Sequence, residues 1–116
     1  MNLNDYLMSF RDADGLGFPE GESGYKSTYP LAERITCKDG FSISVQATHG
    51  AYCSPRSNLG PWYEVECGFP SAAPEGLMQY AEKPERPTET VYPYTPIELV
   101  EKLIALHGGM TTAENK

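Results

Sequence analysis

Along "ERITCKDGFSISVQAT", residues 33–48, apolar and polar side chains alternate with a period of two. Phe41, Ile43, Val45 and Ala47 fall on one side, and Ser42, Ser44, Gln46 and Thr48 on the other. That pattern predicts a half-buried strand. Asp39-Gly40 supplies the positive φ that a tight hairpin needs, so Ile35 and Cys37 join the same inner face from the preceding strand. The alternation returns in "WYEVECGF", residues 62–69. Here Tyr63, Val65, Cys67 and Phe69 are expected inside, with Trp62, Glu64 and Glu66 on the wet face. The stretch between, "HGAYCSPRSNLGP", is broken by Pro55, Gly60 and Pro61 and reads as a connection. These segments make an antiparallel meander with one solvated face.

A period near 3.6 marks three other segments. "NLNDYLMSFRD" predicts a short helix with Asn2 or Asn4 as cap and Leu3, Leu7, Met8 and Phe10 as its apolar stripe. "SAAPEGLMQYAE" predicts another, with Ser71 as cap and Pro74 in its first turn. "TPIELVEKLIALHGG" carries the fullest set of helix signals: Thr95 as N-cap, Pro96 at the first helical position, and Glu98 completing a capping box. Its stripe is Ile97, Val100, Leu103, Ile104 and Leu106, widened by Leu99, and Gly108 ends it. The glycine- and proline-rich residues 12–30 read as a loop whose aromatics, Phe18, Tyr25 and Tyr29, hold it to the body. "KPERPTETVYPY" reads as extended, with Val91 and Tyr92 adding an edge strand.

The expected fold is α+β: a three- to four-stranded antiparallel sheet, the C-terminal helix packed on one face, and a short N-terminal helix. One domain spans 1–116, with a helix and loop arm at 1–30, a core at 31–108 and a frayed tail at 109–116. At 116 residues there is room for one core, and Gly 11 with Pro 10 indicates long ordered loops. The start, "MNLNDYLMSF", lacks the basic and apolar regions of a secretory signal, and no apolar run is long enough to span a bilayer. The expected location is the cytoplasm of a host cell. An odd cysteine count fits free thiols in a reducing compartment.

Charge changes the picture more than composition does. The net charge is −7, and it is unevenly spread. Residues 1–33 set six acids against Arg11 and Lys26, residues 34–63 are slightly basic, and residues 64–116 set nine acids against four bases. Such a surface repels nucleic acid and anionic membrane and attracts basic partners. Solubility alone is the plainer reason for it.

The chemistry-bearing residues do not form a known pattern. Cys53 and His49 lie four apart with Arg56 nearby, but no cysteine-protease signature surrounds them, and "CSPR" is too short for a phosphatase cradle. Cys37, His49, Cys53 and Cys67 lack the paired spacing of a structural zinc site, and alternation commits Cys37 and Cys67 to the core. Glu64 and Glu66 share a strand face, where exposed glutamates are ordinary. "DGLGFPEG" follows no strand and lacks the Lys-Ser/Thr of a phosphate loop. No metal, cofactor or catalytic residue is expected. The acids instead suggest imitation of a phosphate track: Asp12, Asp14, Glu20, Glu22, Glu64 and Glu66, with those at 82–89. Tyr52 and Trp62 would serve as aromatic anchors, with Tyr25, Tyr29 and Tyr63 as further candidates, although aromatics in a small domain mostly pack internally.

The segment "SVQATHGAYCSPRSNLGPWYEVECGFPS", with the downstream "TVYPYTPIELVEKLIALHGG", resembles small proteins encoded by bacteriophages and prophages. The resemblance covers residues 41–108 and carries over no functional residue. It implies a phage accessory role of the anti-CRISPR class: an inhibitor that binds a host defence nucleoprotein complex, by a basic surface on that partner, as a nucleic-acid mimic. Direct nucleic-acid or membrane binding is not expected, and the oligomeric state is left open. Two other roles stay open: a small ligand-binding protein or enzyme built on His49, Tyr52, Cys53 and Arg56, and a virion accessory protein.

Overall fold

A computed structural model describes residues 2–19 and 24–111. The element order is α1 (Leu3–Met8), β1 (Ile35–Thr36), β2 (Ser42–Gln46), β3 (Glu64–Gly68), β4 (Val91–Pro96) and α2 (Ile97–Leu106). The strands form one antiparallel sheet in the order β1-β2-β3-β4, so the α+β architecture is as the patterning predicts. In the hairpin, Ile35 faces Ile43, and Gly40 sits at φ 98°, the left-handed region that glycine enters without steric cost. Phe41, Ile43, Val45 and Ala47 are buried together with Ile35 and Cys37.

The inner face meets Leu3 and Leu7 of α1 and the stripe Ile97, Val100, Leu103 and Ile104 of α2 in one core. Burying the four α2 side chains contributes on the order of 10 kcal/mol before conformational entropy is charged against it. The two helices are tied by a charge-assisted bond, the first helical amide of α1, Leu3, donating to Glu101 Oε2 at 3.0 Å. Asn2 caps α1 by accepting from the Asp5 amide at 2.8 Å. Asn4 is not a cap: its side chain bonds both backbone groups of Trp62.

Several expectations fail for identifiable reasons. Thr95 is not the N-cap of α2. It stays in β4 opposite Val65, fully buried, and its Oγ1 donates to the Tyr92 carbonyl at 2.9 Å. Pro96 takes the cap position without a side-chain bond, and the Ile97 amide reaches back to the Tyr63 carbonyl at 3.0 Å. Leu106 is exposed, two residues beyond Ile104, the last of the buried stripe. Residues 71–82 form turns and a single 3-10 turn at Met78–Tyr80, because Gly76 at φ 84° interrupts any longer helix. The 109–116 segment is not frayed throughout: Met110 bridges Cys37, and the Thr111 amide donates to Thr36 at 2.8 Å, covering the β1 edge. Residues 112–116 lie outside the described residues. No helix among the described residues is long and apolar enough to cross a membrane.

Candidate functional site

The connection from β2 to β3 turns on a buried arginine. Arg11 follows α1 and is only 4% exposed. Its Nη1 donates to the carbonyls of Ala47 at 2.8 Å and Asn58 at 2.7 Å, and its Nη2 to Pro30 at 3.3 Å. One planar fork thus holds the arm and both limbs of the connection together. Burial lowers the guanidinium pKa, the cost of placing a charge among carbonyls without a carboxylate. Periodicity carried no sign of this role, since Arg11 lies just beyond the α1 stripe.

Trp62 belongs to this interior cluster and not to the wet face. It is 2% exposed. The ladder of β3 begins only at Glu64, so the period-two rule does not reach back to it. Its amide donates to Asn4 Oδ1 at 2.7 Å, its carbonyl accepts from Asn4 Nδ2 at 3.1 Å, and its Nε1 donates to the Ser57 carbonyl at 2.9 Å. As an anchor for a partner, Trp62 is therefore excluded. Tyr63 and Phe69, assigned inward by the same rule, are exposed because both lie outside the ladder.

Glu64 and Glu66 do lie on the outer face, but each already holds the loop. Glu66 Oε1 accepts from the Tyr52 amide at 2.8 Å, and Glu64 Oε1 accepts from Ser54 Oγ at 2.8 Å. Asp12 is similarly engaged. Its Oδ1 accepts from the amides of Asp14 and Leu16, and Lys26 Nζ sits 2.6 Å from its Oδ2. That lysine bond, then the Leu16 amide, lowers the Asp12 pKa. Asp14 is exposed. Glu20 and Glu22 lie outside the described residues.

What the loop presents is aromatic. Tyr52 and Tyr94 are both exposed, with ring centroids 6.0 Å apart, and Arg56 stands 5.7 Å over the Tyr52 ring. Tyr94 sits where the β3–β4 register shifts between Val65 and Cys67, at φ 51°. The shift turns its amide onto the Tyr52 carbonyl at 3.0 Å. Tyr63 is exposed as well, its amide donating to the Ser54 carbonyl of the same loop at 2.9 Å. The sequence offers Tyr52 and Tyr63 as anchor candidates but not Tyr94; the bulge that places Tyr94 has no sequence signature beyond Pro93.

The residues suggested for nucleophilic chemistry are not assembled. Cys53 is fully buried, its Sγ donates to the Thr48 carbonyl at 3.2 Å, and burial raises its pKa. His49 faces outward, its Nε2 2.9 Å from the Thr28 carbonyl and its ring against Tyr29. Among the described residues no group of three His, Cys, Asp or Glu could hold a metal ion. Compared with protein-family models, curated proteins and solved structures, the chain matches none.

Proposed function

We propose that this chain is an acidic binding protein, an anti-CRISPR-like inhibitor of phage origin, that docks on a basic surface of a host defence nucleoprotein complex. The observation that carries the reading is the exposed tyrosine set Tyr52, Tyr63 and Tyr94, fixed by hydrogen bonds on a chain of net charge −7. Tyrosine gives a large contact area for little lost rotamer freedom, and interface hot spots are rich in it. The net negative charge of the chain attracts a basic partner at long range. Because Asp12, Glu64 and Glu66 brace the fold, exposed acids such as Asp14, Glu82 and Glu85 carry the long-range attraction.

A mobility-shift competition tests this. A purified CRISPR surveillance complex is given labelled target DNA with and without the chain. Loss of the shifted band at low salt, relieved at least about tenfold in Y63A/Y94A, supports the reading. An unaltered shift at every salt concentration overturns it. Gel filtration of the chain as a large ring would favour a virion accessory role instead.

A further inference from the structure

On the side of the arm, away from the Tyr52–Tyr94 pair in sequence, an open groove of about 860 Å³ lies between Phe10, just after α1, and the described arm residues 17–19 and 25–33. Phe10, Phe18, Tyr25 and Tyr29 line it, with Pro30 and Glu33. Phe18, Tyr25 and Tyr29 are 54%, 70% and 53% exposed, an unusual outlay of aromatic surface for so small a chain. Glu33 is the one charged residue among the described lining residues. Of the bases next to lining residues in sequence, Lys26 is tied 2.6 Å from Asp12, Arg11 is buried on backbone carbonyls, and Arg34 donates to Ser42 Oγ and the Phe69 carbonyl.

The walls are braced by the backbone. The Gly17 amide donates to the Ser27 carbonyl at 2.8 Å, and Arg11 holds the Pro30 carbonyl. The Thr28 carbonyl accepts from Asn58 Nδ2 at 3.0 Å, and the Tyr29 ring lies 4.5 Å from that of His49. Tyr6 Oη donates to the Glu33 carbonyl at 2.7 Å, fixing the acidic end. Aromatic faces carry negative quadrupole, and a cation that leaves water between them is attracted to each. The Glu33 carboxylate supplies the counter-charge, and among the described lining residues no base opposes entry.

We infer that this groove docks an extended basic segment of a partner protein and takes its arginine or lysine side chains between Phe18, Tyr25 and Tyr29, with Glu33 as counter-ion. The inference shares with the proposed function only the basic character of the partner, and it is tested without any nucleoprotein complex. Loss of one leaves the other standing.

The probe is a short fluorescein-labelled peptide of alternating arginine and glycine, read by anisotropy, with its citrulline counterpart and with choline chloride as competitor. The arginine peptide is expected to bind and the citrulline peptide at least about tenfold more weakly. F18A/Y25A keeps the net charge, and both side chains are exposed, so the fold is retained; binding is expected to fall about tenfold or more. Y25A alone, and G50A, whose new Cβ would displace the Tyr29 ring, are expected to weaken it in the same direction. E33Q is expected to weaken binding several-fold, while L106A, at an exposed position of α2 outside both surfaces, leaves it unchanged. Equal binding by F18A/Y25A or by Y25A overturns the inference in favour of general charge attraction. Equal binding of the citrulline peptide overturns cation recognition, and choline competing as well as unlabelled peptide makes the groove a small-molecule cage.

Discussion

The Arg11 guanidinium lies 4.9 Å from the centroid of the Trp62 ring, and both side chains bind backbone carbonyls of the β2–β3 connection. Arg11 binds the carbonyls of Ala47 and Asn58, and Trp62 Nε1 binds that of Ser57. A cation over an indole face is attracted by the ring quadrupole, and the ring also screens the charge from water.

Arg11→Met keeps much of the volume and removes three carbonyl bonds. The variant is expected to lose about 2–4 kcal/mol in urea unfolding, because buried acceptors remain without donors. Arg11→Lys recovers little of this, since one ammonium cannot span three carbonyls and the ring face. A loss under about 0.5 kcal/mol in R11M would show that the connection closes without the fork.

The fold is held at its far end by Asp39 and His107, 2.6 Å apart, with His107 stacked 4.1 Å from the Phe41 ring. The Phe41 amide first, and His107 next, lower the Asp39 pKa from 3.8. A carboxyl depressed in the folded state stabilises above its unfolded value, and that contribution is lost as pH falls through the folded one. Acid unfolding followed by circular dichroism should therefore steepen below about pH 4. Asp39→Asn is expected to lose that contribution near neutrality and to converge with the parent at low pH, which flattens the acid limb. Identical acid limbs in both proteins would remove Asp39 from the account.

The three cysteines are buried, and burial pushes all three thiols up, Cys67 to about 12. Thiolate is the reactive form, so native protein near pH 8 is expected to react with a disulfide reagent far more slowly than denatured protein, which should titrate three thiols. Rapid modification of Cys53 alone in the native state would revive a chemical role for the 49–56 loop.

Glu101 of α2 reaches α1, and its partner is an orphan amide at a helix start. Glu101→Ala is expected to cost about 1 kcal/mol and to raise amide exchange at Tyr6–Ser9 more than in β2 and β3. Equal loss of protection everywhere would mean that α1 does not open on its own.

Strand content, the hairpin register and the α2 stripe were legible in the sequence because period and burial report the same physics. The limits of each strand were not. Alternation predicts facing only while the ladder lasts, so Trp62, Tyr63 and Phe69, one or two residues beyond it, all went to the wrong side. The capping box at Thr95 lost to a tertiary choice, its hydroxyl being needed by the Tyr92 carbonyl in the core. For the site, acids were readable as charge but not as partners: Asp12, Glu64 and Glu66 each hold backbone or hydroxyl donors across loops. Tyr94 and the aromatic groove depend on a bulge and on arm packing, and neither has a local motif.

Tyr94 offers the sharpest separation of stability from binding. It is exposed, yet it holds φ 51°, a left-handed conformation that costs a bulky residue about 1 kcal/mol. Glycine adopts that conformation without the penalty but loses more chain entropy on folding, and asparagine tolerates it with less entropy loss. Were the position selected for folding alone, either would serve as well as tyrosine. Tyr94→Asn is therefore expected to unfold at the same or a slightly higher urea concentration than the parent, within about 1 kcal/mol. If the proposed function holds, the same variant is expected to lose activity by about tenfold in the surveillance-complex competition, because the strain holds a ring 6.0 Å from Tyr52 at the proposed docking surface. If Y94N were destabilised by more than about 2 kcal/mol and inhibited as well as the parent, the tyrosine would be there to hold the bulge, and the aromatic surface would need another purpose.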